Sequence, residues 1–290
     1  MNFYFSTGAY YSRDLYDIIS QSNELNFNIE LSSSVTCSAA DLIGTLQTEN
    51  RPGRFLLHNY FPPPKSHFVL NLASTNEHLL KKSFIFCRQA IDICAKLDIP
   101  FYSVHAGSAM DLYPGDLGNP IAQQARARQQ KIPRKAAYDI FVSTIVDLAE
   151  YARSKGVGLL IENNVVAMEN IETNGDYPIL LASTSEIYQF FLDAKESGVR
   201  FLLDTGHAKV SARTLGERPE KFFEILGHLI GALHLNENDG IRDNHERFDK
   251  DAWFASFLSD YRNRPMVIES NRLTAWQMQQ QHNILTDIVR

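Results

Sequence analysis

The chain has 290 residues, of which 44% are hydrophobic and 21% are charged, and its formal net charge is −6. This composition supports a large buried core and excludes global disorder, and the length suits one closed α/β barrel. The negative charge balance does not indicate a strongly basic nucleic-acid-binding protein. There is no run of about 18 apolar residues and no basic segment followed by an apolar one at the start of the chain. We therefore expect a cytoplasmic protein with no membrane association.

Eight short apolar segments bounded by turns predict eight buried parallel strands, each with a polar residue at or near its C-terminal end. They cover residues 2–6, 27–31, 54–58, 101–105, 157–162, 199–204, 231–235 and 265–269. Longer segments between them have apolar residues at three- and four-residue steps, which predicts amphipathic helices. Because the composition does not change along the chain, we predict an α/β fold with one (β/α)8 TIM barrel over residues 1–290. Doubly wound sheets share this alternation of strands and helices, so the count alone does not decide the fold.

Residues 107–133, after the fourth strand, form an unusually long connection that we predict to be a lid-like insertion. Five basic residues occur there and at the start of the next helix, with no acidic residue between them: Arg126, Arg128, Lys131, Arg134 and Lys135. One interpretation is a solvated helix on an insertion. The other is a lid that meets an anionic group of the substrate, such as a phosphate.

The chain contains three cysteines, Cys37, Cys87 and Cys94, and no CxxC motif. Cys87 and Cys94 lie seven residues apart within a helical pattern, so both are expected on its buried face. We predict reduced core thiols rather than a metal site or a disulfide.

Side chains at the C-terminal ends of barrel strands converge on one opening. Charged groups at the ends of apolar strands are costly unless they are solvated, paired or bound to a metal, so a ring of them predicts a metal site. Seven of the eight predicted strands deliver a carboxylate or an imidazole to this opening: Glu30, His58, His105, Glu162, Asp204 followed by His207, His234 and Glu269.

The segments LLIEN (159–163), LLDTGHA (202–208), ALHLNENDG (232–240) and VIES (267–270) resemble the xylose isomerase-like TIM barrels. That superfamily includes sugar isomerases, sugar epimerases and endonuclease IV, and the resemblance covers nearly the whole chain in order. It implies one divalent ion held by Glu162, Asp204, His234 and Glu269. Three carboxylates and one imidazole suit Mn²⁺, whereas a larger set rich in histidine favours Zn²⁺.

The first function that the resemblance implies is a sugar or sugar phosphate isomerase or epimerase. In such enzymes the metal polarises the carbonyl of the sugar and stabilises an enediolate. Glu162 and Glu269 would transfer the proton on opposite faces of the substrate, and His207 would lie beside the substrate oxygens. The resemblance also implies a homodimer. Glu30, at the end of the second strand, resembles this branch more than the endonuclease branch.

The second function that the resemblance implies is an endonuclease IV-like trinuclear zinc phosphodiesterase that acts on abasic DNA; a nucleic acid would be a partner only in this case. Five further candidates are then available as ligands for three Zn²⁺ ions: His58, His105, His207, Asp243 and His245. His67 is a weaker candidate for the role of His58. Residues 62–67, however, interrupt the resemblance where endonuclease IV carries a DNA-penetrating loop. The sequence therefore favours an isomerase or epimerase, with the phosphodiesterase as the alternative.

Overall fold

The computed structural model describes residues 2–33, 35–36, 42–49, 53–130 and 132–290. Eight parallel strands pair in chain order and close into a barrel when β8 pairs with β1. Their bounds are β1 Phe3–Ser6, β2 Asn28–Leu31, β3 Phe55–His58, β4 Phe101–His105, β5 Gly158–Glu162, β6 Arg200–Asp204, β7 Ile230–Leu235 and β8 Met266–Ile268. The predicted (β/α)8 TIM barrel is thus confirmed.

Helices surround the barrel and pack against the outer faces of the strands. Their bounds are α1 Leu15–Leu25, α2 Leu42–Glu49, α3 Glu77–Lys96, α4 Pro120–Gln130, α5 Arg134–Ser154, α6 Thr184–Asp193, α7 Thr205–Leu215, α8 Lys221–Leu226 and α9 Ala275–Val289. The main core fills the space between strands and helices, where the strand residues are almost entirely buried. Within the described parts of the chain, no helix is both long enough and apolar enough to cross a membrane.

The register of the strands brings the predicted polar residues together at one end of the barrel. His105 pairs with Glu162 across β4 and β5, and Asp204 pairs with His234 across β6 and β7. Each predicted strand agrees with the observed one to within one residue at each end, and the last residue of the eighth, Glu269, directly follows β8. The strands could be located this well because they are short apolar segments that end at turns.

The cysteine prediction agrees with the structure where it can be compared. Cys87 and Cys94 are free and buried on α3. Burial raises the pKa of the Cys87 thiol to about 12, which makes a thiolate role unfavourable there. Cys37 lies outside the described residues.

Residues 107–133 include a 3-10 turn and the helix α4, and they pack on a small separate core. Of the four basic side chains described there, those of Arg126, Arg134 and Lys135 are paired with acids, and Arg128 is exposed. Arg126 pairs with Asp116 at 3.2 Å, and Arg134 pairs with Glu186 at 2.7 Å. These pairings favour the interpretation as a solvated helix over that of a lid for anions. Lys131 lies outside the described residues.

Candidate metal centre

Nine of the predicted site residues converge at the C-terminal end of the barrel and form three groups of possible ligands. Within each group the ligand atoms lie within 4.8 Å of one another. The groups are His58, His105 and Glu162; then Glu162, Asp204, His234 and Glu269; and His207, Asp243 and His245. Glu162 belongs to two of them. His67, the weaker candidate, is exposed and belongs to none of the donor groups found in the described residues.

The first group lies where β3, β4 and β5 end. Nε2 of His58 lies 3.3 Å from Nε2 of His105 and 3.3 Å from Oε2 of Glu162. His105 lies 3.6 Å from the same carboxylate oxygen, and a third of its side chain is exposed. Two imidazole nitrogens and one carboxylate oxygen therefore point at a common volume that is open on the side of His105.

The central group is more deeply buried. Nδ1 of His234 lies 3.2 Å from Oε2 of Glu269 and 3.6 Å from Oε1 of Glu162. Asp204 is fully buried at the end of β6 and also caps α7, where it accepts a hydrogen bond from the backbone N–H of His207 at 2.7 Å. Its position is therefore fixed by the first turn of that helix.

The third group combines His207, on α7, with two residues of the loop after β7. Oδ2 of Asp243 lies 3.2 Å from Nε2 of His207 and 3.0 Å from Nε2 of His245. Nδ1 of His207 lies 3.3 Å from Oε1 of Glu162, so the third group adjoins the other two. His245 has a backbone φ of 48°, in the left-handed region that few non-glycine residues adopt.

Further residues orient the imidazoles. Nδ1 of His58 bonds to the hydroxyl of Ser103 at 3.0 Å, and Nδ1 of His207 bonds to the backbone carbonyl of Asn163 at 2.8 Å. Metal-binding histidines commonly use their second nitrogen in this way. Nε2 of His58, which faces Glu162, and Nε2 of His207, which faces Asp243, are consequently free to bind a cation.

Two residues that hold the central group did not enter the predicted ligand set. Glu30 contacts Nε2 of His234 and forms a further cluster of possible donors with His234 and His58. Nδ2 of Asn236 donates to both oxygens of Asp204 at 3.3 and 3.0 Å. The sequence placed Glu30 at a strand end but did not predict its contact with His234. Asn236 follows His234 by two residues, and only the tertiary fold brings it to Asp204.

The protonation states of the ion-free centre differ between neighbouring groups. Burial lowers the pKa of His58 to about 3 and raises that of Asp204 to about 7. Burial also opposes protonation of His245, but the hydrogen bond and charge of Asp243 outweigh it and raise the pKa of His245 to about 9. The pKa of His234 is raised well above its usual range, because nearby carboxylates outweigh its burial. Without bound ions, protons on His234 and His245 therefore offset part of the negative charge of the carboxylates.

Several ligand atoms at the centre are buried but have no hydrogen-bond partner among the described residues. They are Oε2 of Glu162, Nδ1 of His234, Oδ1 of Asp243 and Nδ1 of His245. An unpartnered buried polar atom costs about 1–3 kcal/mol or more. Four of them in one cluster fit bound cations, and the carboxylate and imidazole donors suit zinc.

A family model described as "Xylose isomerase-like TIM barrel" matches residues 40–283. The chain belongs to this family. Among curated relatives, it is 32% identical over 188 residues to "Probable endonuclease 4" of Thermoplasma acidophilum, an alignment that covers 63% of this chain and 53% of that protein. The chain thus spans about half the length of this relative.

Solved structures of the same fold extend over the whole chain. A D-tagatose 3-epimerase-like protein superposes with a TM-score of 0.69 at 19% identity and covers 100% of both chains. A Thermus thermophilus protein from a crystal soaked with ZnCl₂ superposes with a TM-score of 0.64 at 16% identity and covers 99% of each chain. At these identities the likeness shows the fold. The names of these relatives include an endonuclease and a sugar epimerase-like protein, which correspond to the two functions considered from the sequence.

Proposed function

We propose that this protein is a zinc-dependent phosphodiesterase whose centre holds three ions, one in each group of ligands. The observation that carries the proposal is the position of Glu162, which belongs to the first and central groups and adjoins the third. One divalent ion bound by the four central residues would leave five of the nine candidate ligands without a metal. With one ion in each group, all nine residues would serve as ligands, and the first and central groups would share Glu162.

The charge of the centre also favours several ions. Five carboxylates lie among the donor groups: Glu30, Glu162, Asp204, Asp243 and Glu269. With neutral imidazoles, three divalent ions would exceed this negative charge by one, whereas a single ion would leave a net negative site. An anionic phosphodiester is attracted only in the first case.

The reaction we propose is hydrolysis of one P–O bond. Water adds to phosphorus and the bond to one alcohol breaks, so that a diester and a water molecule give a monoester and an alcohol that takes the remaining proton. Bound zinc supplies positive charge to the phosphoryl oxygens and lowers the pKa of water. Ser103, Asn163 and Glu30 keep the imidazoles in place, and the partly exposed His105 leaves the centre open to a substrate.

A sugar isomerase or epimerase is the second candidate, as the sequence favoured. The observation in its favour is the small cavity beside the centre, of about 410 Å³, which suits a small molecule. In that case one ion in the central group would suffice, with Glu162 and Glu269 as the groups that transfer the proton. The close approach of His58 and His105 to Glu162 makes this candidate the weaker one.

An activity test on the zinc-loaded protein separates the two. We expect hydrolysis of bis(4-nitrophenyl) phosphate and no exchange of carbon-bound hydrogen in D-tagatose incubated in D₂O. An oligonucleotide duplex with one abasic site tests whether DNA is also cleaved. Exchange in D-tagatose without hydrolysis of either phosphodiester would overturn the proposal.

The third group provides a sharper variant. Asp243→Asn should lower hydrolysis at least about 100-fold, because it removes a ligand that only the three-ion centre needs. Asp251→Asn, an exposed aspartate in the same connection, is the matched control and should leave activity unchanged. Full hydrolysis by the Asp243→Asn variant would contradict the role of the third group.

A further inference from the structure

A cavity of about 410 Å³ opens beside the candidate metal centre, and His105 and His207 form part of its wall. Much of the remaining wall is apolar and comes from the connection after β3 and from residues 107–133. Among its lining residues are Phe68, Leu70, Met110, Leu112, Leu117 and Ile179. No lysine, arginine, aspartate or glutamate lines this cavity among the described residues.

Three of the polar side chains in the wall already donate hydrogen bonds within the protein. Nδ2 of Asn164 donates to the carbonyls of residues 106, 107 and 180, and the hydroxyl of Ser108 donates to the carbonyl of Met110. Gln123 donates to the carbonyl of Asp116. Oδ1 of Asn59 is buried and has no partner among the described residues. The wall therefore offers apolar contact and few hydrogen bonds.

The wall formed by residues 107–133 is held in place by bonds to two neighbouring loops. Asn71 donates from Nδ2 to the carbonyls of Ser108 and Met110 at 3.0 and 3.1 Å. The backbone N–H of Ala109 donates to the carbonyl of Pro178 at 2.6 Å. The cavity is thus preformed, and its volume suits a small molecule rather than a double helix.

We infer that this cavity binds an apolar, aryl-sized group of the substrate, attached to the phosphodiester that reacts at the metal centre. That the reacting group is a phosphodiester rests on the proposed function. That the neighbouring group is apolar rests on the composition of the cavity wall. The inference narrows the substrate class to small phosphodiesters with an aromatic or similar apolar substituent. The absence of lysine and arginine from the described wall argues against a second phosphate at this position.

Calorimetric binding of two phosphonates to the zinc-loaded protein tests the inference without catalysis. Phenylphosphonate and methylphosphonate present the same anionic head and differ only in the apolar group. We expect phenylphosphonate to bind about 30-fold more tightly, as burial of the additional apolar area implies. Equal affinities would overturn the inference.

Two substitutions test whether the preference for phenylphosphonate over methylphosphonate arises in this cavity. Leu70→Asn and Leu117→Asn should each lower the preference for phenylphosphonate to about one-third or less of its value and leave methylphosphonate binding unchanged. Leu117 is 57% exposed, so its replacement does not threaten the fold. Ile121→Asn is the matched control, because Ile121 is 80% exposed in the same segment but does not line the cavity. A preference that persists in both cavity variants would contradict the assignment.

Kinetics distinguish failure of this inference from failure of the proposed function. Bis(4-nitrophenyl) phosphate has two 4-nitrophenolate leaving groups and methyl 4-nitrophenyl phosphate has one. We expect the first ester to have the higher kcat/KM after division by the number of leaving groups and by the rate of uncatalysed hydrolysis of each ester. Equal values after this correction would overturn the aryl-binding cavity but leave the phosphodiesterase proposal intact. If neither ester were hydrolysed but phenylphosphonate still bound more tightly than methylphosphonate, the phosphodiesterase proposal would be wrong and the assignment of an apolar group to the cavity would be supported.

Discussion

Glu30 and His234 form a buried pair in which an oxygen of Glu30 lies 3.0 Å from Nε2 of the imidazole. The other ring nitrogen, Nδ1, faces Glu162 and Glu269. Because one neutral imidazole carries one N–H, a hydrogen bond from Nε2 to Glu30 leaves the lone pair of Nδ1 for a metal. We therefore regard Glu30 as a residue that positions His234 rather than as a ligand.

Glu30→Gln tests this role. The variant should weaken zinc binding at the central group about 10- to 100-fold, because loss of such a partner reduces the basicity and order of the imidazole. Competition with a chromophoric chelator measures the affinity, and circular dichroism checks the fold. Glu24→Gln, at an exposed position of α1, is the control. Unchanged affinity in a folded Glu30→Gln protein would show that the pair is not needed to position His234.

Gly206 offers a test of the support beneath Asp204. A Cβ atom at this position would overlap Oδ1 of Asn236, whose Nδ2 holds both oxygens of Asp204. We expect Gly206→Ala to destabilise the ion-free protein by about 1–3 kcal/mol, as overpacking does, and to weaken zinc binding. Urea unfolding measures the free energy of unfolding.

Gly44→Ala is the matched control for that substitution. Gly44 lies in α2, and outside that helix's own backbone no atom of the described residues lies within 4 Å of the added Cβ. Alanine should therefore stabilise the protein by up to about 1 kcal/mol through its helix propensity. If the two alanine variants had the same stability and zinc affinity, contact with Asn236 would not explain the need for glycine at position 206.

Zinc affinity should fall as the pH is lowered from 8 to 6. In the ion-free protein the pKa of His245 is raised to about 9, so this imidazole is protonated throughout that range and must lose its proton to bind zinc. The pKa values of His207 and His234 are raised well above their usual range by neighbouring carboxylates that outweigh burial, so they compete in the same way. Each proton displaced should cost about tenfold in apparent affinity per pH unit.

Proton release measures this linkage. Calorimetric titration of zinc in buffers of different ionisation enthalpy should show a net release of protons at pH 7. An affinity that is constant between pH 6 and 8 would mean that the imidazoles are already neutral before zinc binds.

The barrel could be predicted from sequence because its signals are local. Each strand is a short apolar segment with a polar residue near its end, as in Leu202–Asp204 within β6, and parallel strands in a barrel bring those ends together. The nine candidate ligands follow from the same rule and from the resemblance of the segments that contain them. Their grouping around Glu162 could not be predicted, since it depends on side-chain directions across the barrel.

Other features depend on residues far apart in the chain. Arg134 is one of the five basic residues that the sequence groups together, but its partner Glu186 is on α6. The sequence therefore left open whether these charges meet a substrate, and the pairings favour the solvated helix. The contact of Glu30 with His234 spans 204 residues, and no local pattern encodes it.

Zinc stoichiometry tests the central claim most directly. The protein should be saturated with zinc, its metal content measured by mass spectrometry, and the ions located by anomalous diffraction at the zinc edge. We predict three ions per chain, one at each group of ligands, with Glu162 between the first and central ions. A single ion at the central group under saturating zinc, with His58, His105 and His245 unligated, would contradict the three-ion centre and favour the isomerase.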